Sequence, residues 1–267
     1  MSKAVALARS CHPGPTVAVT SIAVLLGISV SLSGGLLFLV GLTVLVGQLS
    51  IGWSNDWLDA ERDAAAMRAD KPTTTGSIAP ATLRIAALCS LALSLPLSLI
   101  VGVSGSWHLL LVASGWAYNL GLKKTAWSPV PYAVGFAALP VYVLAVAGVG
   151  AQWWLPASGG LLGVSAHFAN AAPDVVEDRA ADVLGLPQRI GARGSLATAL
   201  VLLGCVGALL LTQVTLTGLW LALGFLVVSL PLICGSALVV LNRIGRPAFL
   251  MVMLAAVADV ALLIVAT

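Results

Sequence analysis

Charge is what this sequence has least of. Only 9% of its 267 residues are charged, against roughly a quarter in a soluble domain. So few ionised side chains cannot cover a water-facing surface. That excludes an ordinary soluble globule and places the chain among membrane proteins. The net charge of +3 is too small to argue for nucleic acid as a partner. Cysteine is scarce too: Cys11, Cys89, Cys205 and Cys234 stand far apart, mostly within apolar runs. They have neither metal-ligand spacing nor a disulfide framework, and read as small hydrophobes. Ser10-Cys11 weakly matches a lipoprotein cleavage site, but no hydrophobic segment precedes it. The first apolar run is expected to be a span, not a cleavable signal.

What is present is hydrophobic length. A helix crosses the hydrocarbon core with about 20 apolar residues. Runs that fit lie at 15–32, 35–53, 80–102, 106–121, 129–149, 156–173, 195–212, 218–240 and 247–266, with Gly34, Gly105, Pro129, Pro156 and Pro247 as breakers. The expected fold is all-α: a single domain over 1–267, multi-pass, with about nine transmembrane helices around a central cavity. The 13 Lys and Arg residues fit this count. With nine spans, every one of them falls before span one or in or beside an even-numbered connection. By the positive-inside rule that side is cytoplasmic, so the N-terminus is inside and the C-terminus outside a cell membrane.

The ten acids are distributed more narrowly still. Five lie between Asp56 and Asp70, four between Asp174 and Asp182, and Asp259 stands alone in the last run. Solvation alone would spread them among all the connections on that side. In the first segment Asn55, Asp59 and Asp63 recur every four residues, and Asp56 precedes Asp59 by three. On a continuing helix these share one face. The second segment repeats the spacing with Asp174, Asp178 and Asp182, and Asn170 lies one turn earlier.

Carboxylates stacked one turn apart repel unless cations neutralise them. Hard divalent cations, Mg²⁺ above all, suit a few carboxylates together with water and phosphate oxygens. Two such ladders predict one polar site, on the cytoplasmic side, for metal ions and a phosphorylated substrate. Basic groups nearby are candidates for binding the phosphate. Arg68 and Lys71 lie in the stretch Arg68–Gly76, and Tyr118 and Lys123 at the end of the fourth run. Lys124, Arg189, Arg243 and Arg246 read as topological anchors.

Together these residues resemble the UbiA-type intramembrane prenyltransferases. Asn55-Asp56-x-x-Asp59-x-x-x-Asp63 is similar to that family's first aspartate motif at every specified position. Asp178-x-x-x-Asp182, with Gly185-Leu186-Pro187 and Gly191 beyond it, looks like the second motif and its loop. Arg68–Gly76 resembles the arginine-proline segment, and Tyr118–Lys123 the tyrosine-lysine segment. Ala69 and Lys71 stand where the family usually has Pro and Arg, and Val175 where an aspartate is often found. Lys at 71 keeps the charge but lacks the bidentate fork of Arg.

The resemblance implies Mg²⁺-dependent transfer of a prenyl group, short-chain or polyprenyl, from an allylic diphosphate to a hydrophobic acceptor in the lipid bilayer. It implies metal ligands at Asn55, Asp59, Asp178 and Asp182, supported by Asp56, Asp63 and Asp174. Arg68, Lys71, Tyr118 and Lys123 would bind the diphosphate. Asp59, Asp178 and Lys123 carry the catalytic expectation, and His167, on the second ladder's face but deeper, joins them as a possible partner of the acceptor. The same histidine also reads as a buried residue satisfied by a neighbouring helix. Asp259 reads either as functional or as a protonated, hydrogen-bonded structural acid. A terpene cyclase working without an acceptor is the nearest alternative. An ion-coupled transporter would place its carboxylates nearer the midplane on broken helices.

Overall fold

A computed structural model describes residues 2–215 and 217–267, and these are helical with no strand among them. The helices are α1 (Lys3–Arg9), α2 (Pro13–Ser29), α3 (Gly34–Leu58), α4 (Ala60–Ala65), α5 (Pro80–Leu99), α6 (Gly105–Leu120), α7 (Val130–Val146), α8 (Trp154–Ala171), α9 (Val175–Ala180), α10 (Leu186–Leu211), α11 (Gly218–Val240) and α12 (Arg246–Ala266). Each apolar run read from the sequence falls on one of the longer helices. Proline opens α2, α5, α10 and α12 within the first two positions, where its missing N–H costs nothing.

Five helices (α3, α5, α10, α11 and α12) are long and apolar enough to cross a membrane. The pair α1 and α2, bent by 62°, makes a sixth if it counts as one broken span. Nine crossings are therefore more than length and hydropathy establish. α6, α7 and α8 run only 16, 17 and 18 residues, at the short end of what a bilayer requires. α8 is further diluted by three glycines, His167 and Asn170.

The chain divides into two compact units. The first runs through Gly121 and takes in Tyr142–Gly150. Here α3 is the central helix, packed on α2, α5 and α6. His108, fully buried on α6, shares a hydrogen bond of 2.8 Å with Ser98. Ala6 of α1 packs with Ile78 and Leu83, flanked by Leu7, Trp53 and Trp57. This contact lays α1 across the end of α3 that carries the first acidic segment.

The second unit comprises Leu122–Val141 and Ala151–Thr267. α10 packs on α8, α11 and α12. α8 lies close against α7, because a Cβ at Gly163 would meet the Tyr132 carbonyl at 2.5 Å. Asp259 of α12 is 1% exposed, and neither of its carboxylate oxygens has a partner among the described residues. The hydrogen-bonded reading of Asp259 is thus corrected. It lies against Gly207, which has no side-chain donor.

Candidate functional site

The first acidic segment keeps its predicted register across a helix break. α3 ends at Leu58, and Asp59 caps it and opens α4. The backbone nevertheless continues in four-residue steps: Asp59 N–H donates to the Asn55 carbonyl at 3.0 Å, and Asp63 N–H to the Asp59 carbonyl at 2.8 Å. Asp56, Asp59 and Asp63 are only 2%, 7% and 3% exposed, so each needs a partner to stay ionised. The chain supplies several. Asp56 Oδ1 accepts from Lys71 Nζ at 2.7 Å and lies 2.9 Å from His12 Nε2. Arg62 Nη2 sits 2.8 Å from Asp59 Oδ2 and 3.6 Å from Asp63 Oδ1. The repulsion read from the spacing is therefore met in part by the protein's own cations.

Asn55 donates through Nδ2 to Asn119 Oδ1 at 3.0 Å. Asn119 in turn donates to the Ile51 carbonyl at 2.9 Å and to Ser54 Oγ at 2.8 Å. These bonds fasten the end of α6, with Tyr118 beside Asn119, onto α3. Arg68 grips Asp70 through two bonds of 2.9 and 3.0 Å near the surface. Those bonds hold the Asp70 carboxyl below its ordinary value.

Four buried polar atoms between residues 62 and 74 lack any hydrogen-bond partner among the described residues: Arg62 Nη1, Asp63 Oδ2, Thr73 Oγ1 and Thr74 Oγ1. Burial pushes the Asp63 carboxyl above its ordinary value, with Lys71 and Arg62 pulling the other way. Buried donors and acceptors are seldom left unsatisfied, and such a cluster marks a place for a polar ligand.

The second segment departs from the expected ladder. α8 stops at Ala171, residues 172–174 form a 3₁₀ turn, and α9 carries on from Val175. Pro173 explains the break, since it has no N–H to donate and its ring crowds the preceding turn. α9 then ends in a left-handed turn at Asp182 (φ 55°), where Val183 N–H donates back to the Asp178 carbonyl at 2.9 Å. Asp182 is a helix-terminating residue of the Schellman type, not a rung. Asp174 and Asp182 are exposed, and so is Asn170.

Asp178 is held by a neutral partner: Gln188 Nε2 donates to its Oδ2 at 2.7 Å. Around Gln188 the second unit gathers several of the expected site residues. A Cβ at Gly185 would lie 2.6 Å from the carbonyl oxygen of buried Lys123, 2.7 Å from Gln188 Oε1 and 3.0 Å from Ser128 Oγ. Ser128 Oγ accepts the Leu186 N–H at 3.0 Å and pairs with buried His167 Nε2 at the same distance. The Tyr132 ring lies 4.7 Å from that of His167. Lys123, His167 and Asp178 are thus tied together through Ser128, Gly185 and Gln188. Sequence reasoning passed over Ser128, Gln188, Asn119 and His12. Gln188 lies beside the Gly185-Leu186-Pro187 loop, and only that proximity could have pointed to it.

The donor sets, carboxylate and amide oxygens with basic groups beside them, suit a hard cation and an anion. Among the described residues no three His, Cys, Asp or Glu side chains converge to hold a metal ion. The sequence profile of the UbiA prenyltransferase family matches residues 16–258. The chain belongs to that family.

Solved structures agree on the fold of this family member. The apo structure of a UbiA homologue from Aeropyrum pernix K1 superposes with a TM-score of 0.71 at 17% identity, over 94% of this chain and 98% of that one. A UbiA homologue from Archaeoglobus fulgidus, bound to GPP and Mg²⁺, gives 0.66 at 15% identity over 97% and 99%. A structure of digeranylgeranylglyceryl phosphate synthase gives 0.68 at 17% identity over 99% of each chain. No curated protein sequence matches the chain. Its apolar helices and its family make it a membrane protein.

Proposed function

We propose that this chain catalyses Mg²⁺-dependent transfer of a prenyl group from an allylic isoprenoid diphosphate to a small aromatic or lipid-soluble acceptor. The observation that carries the reading is the first motif: three buried carboxylates in helical register, ringed by Arg62 and Lys71, with the unpartnered Asp63 oxygen among them. Family relatives bound to GPP or DMAPP with Mg²⁺ support it. Asn55, Asp59, Asp178 and Asp182 would hold the metal, with Asp56, Asp63 and Asp174 in support. When bound, Mg²⁺ supplies Lewis-acid stabilisation of the negative charge that builds on the departing diphosphate.

The protein's own groups do the rest. Lys71, Lys123, Arg68 and Tyr118 present donors to the diphosphate oxygens, so charge developing as the allylic C–O bond breaks meets fixed partners. Gln188 holds Asp178, and Arg62 holds Asp59, in orientations set before substrate arrives. His167, with one ring nitrogen on Ser128, serves the acceptor. Apolar helices bind the prenyl tail and keep water from the carbocation. The single domain 1–267 lies in the cell membrane, with the N-terminus and both motifs on the cytoplasmic side and the C-terminus outside.

The test incubates detergent-purified protein with Mg²⁺ and allylic diphosphates of several chain lengths, with and without membrane lipid extract, and identifies products by mass spectrometry. A prenyl adduct formed only with extract is the expected result. A cyclic hydrocarbon formed without extract would replace transfer by cyclisation, and no turnover of any donor would contradict the proposal.

A further inference from the structure

Asp56 differs from the rest of the first motif in where its partners come from. Both approach the same oxygen from distant parts of the chain: Lys71 Nζ at 2.7 Å, from fifteen residues away, and His12 Nε2 at 2.9 Å, from forty-four away. We propose that His12 is a positioning residue of the diphosphate site, and that Asp56 is a tether joining the α1–α2 turn to the Lys71 loop instead of a metal ligand. The inference rests on the diphosphate reading above for its effect on the reaction, but not for the tether itself.

The turn that carries His12 is clamped from several directions. Cys11 places its carbonyl against Gly52, where any Cβ would collide with it. The same carbonyl accepts Thr16 Oγ1 at 2.8 Å, and Trp53 Nε1 donates to the Leu7 carbonyl at 2.9 Å. Gly52 precedes Asp56 by four residues, so the contact and the carboxylate lie on one face of α3. Held there, His12 adopts a left-handed backbone (φ 54°), a conformation that is strained for a residue with a Cβ. The strain is sustained by the packing around it and aims the imidazole at Asp56.

The loop is braced at its other end as well, by Ile78 against Ala6 of α1. Lysine is a long, mobile side chain that loses rotamer freedom whenever it grips an anion. Pinning Lys71 on Asp56, with His12 fixing the carboxylate, meets that cost before the diphosphate arrives. Asp56 Oδ1 accepts from Lys71 and faces His12, so both partners share one carboxylate oxygen and only Oδ2 is left for any further partner.

His12→Phe should raise KM for the allylic diphosphate about tenfold, the worth of one hydrogen bond to a charged group, with kcat changed far less. His12→Gln, whose amide can still donate to Asp56, should restore most of the affinity. Asp56→Asn should leave the half-saturating Mg²⁺ concentration near that of wild type, whereas Asp59→Asn should raise it. A readout independent of turnover is trypsin cleavage after exposed Arg9, expected to be faster in His12→Phe than in wild type or His12→Gln. Wild-type KM and trypsin resistance in His12→Phe would overturn the proposal. So would a His12→Gln variant as impaired as His12→Phe, or an Asp56→Asn variant with the Mg²⁺ requirement of Asp59→Asn. If wild type turns over no donor, the functional reading fails, and the trypsin comparison alone decides the tether.

Discussion

The two acidic segments share a spacing and differ in almost everything else. The first is buried, keeps its helical register, and is neutralised from within by Arg62 and Lys71, with His12 hydrogen-bonded to Asp56. The second is interrupted by Pro173, ends in a left-handed turn, and leaves Asp174 and Asp182 exposed. Asp178 accepts a bond from a neutral amide, that of Gln188. Identical four-residue spacing therefore encodes two physical designs. One is a buried, charge-compensated helix end. The other is a broken segment that ends in an open turn.

This contrast is sharpened first at Gly185. A methyl there would meet the Lys123 backbone oxygen, Gln188 Oε1 and Ser128 Oγ. Gly185→Ala should lower activity by about 100-fold, the scale of an ångström-sized displacement at a reacting centre. It should also lower the thermal midpoint, at a cost of about 1–3 kcal/mol for overpacking. Steady-state kinetics and differential scanning fluorimetry in detergent would check both. Gln188→Leu removes an orienting bond of Asp178 and should cost about tenfold in kcat/KM. If the second segment is as internally braced as the first, this substitution will have little effect.

The burial of the first segment predicts a pH signature in metal-free protein. Because burial raises the Asp63 carboxyl above its ordinary value of 3.8, ionising it opposes folding, and its stabilising effect is lost as pH rises through the raised value. Asp63→Asn should thus be more stable than wild type at neutral pH, and the advantage should vanish below pH 3.8. Thermal midpoints across that range, with and without EDTA, would show it. A constant difference at all pH values would remove Asp63 from the account. The smallest effect is expected at Asp70, whose bonds to Arg68 lie at the surface. Asp70→Ala should change stability by no more than about 0.5 kcal/mol.

Much of the fold was legible because apolar runs and their breakers are local signals, and each predicted run carries a helix. The first motif was legible for the same reason, since its register survives the break at Asp59. Pro173 was visible in the sequence and is the physical cause of the second segment's departure from a straight ladder. His12 and Gln188 were not legible. One depends on a left-handed turn between two helices, the other on a neutral side chain reaching back across a loop, and neither leaves a periodic trace. That Asp259 has no partner among the described residues, and lies against Gly207, is a matter of packing that no spacing announces.

The most direct test of the account is the Mg²⁺ dependence of diphosphate release from an allylic donor by wild type, Asp59→Ala and Asp178→Ala. Release that saturates with Mg²⁺ in wild type and falls at least about 100-fold in both variants is the result expected if both acidic segments serve one reaction. Release that survives in either variant, or proceeds without a divalent cation, would contradict it.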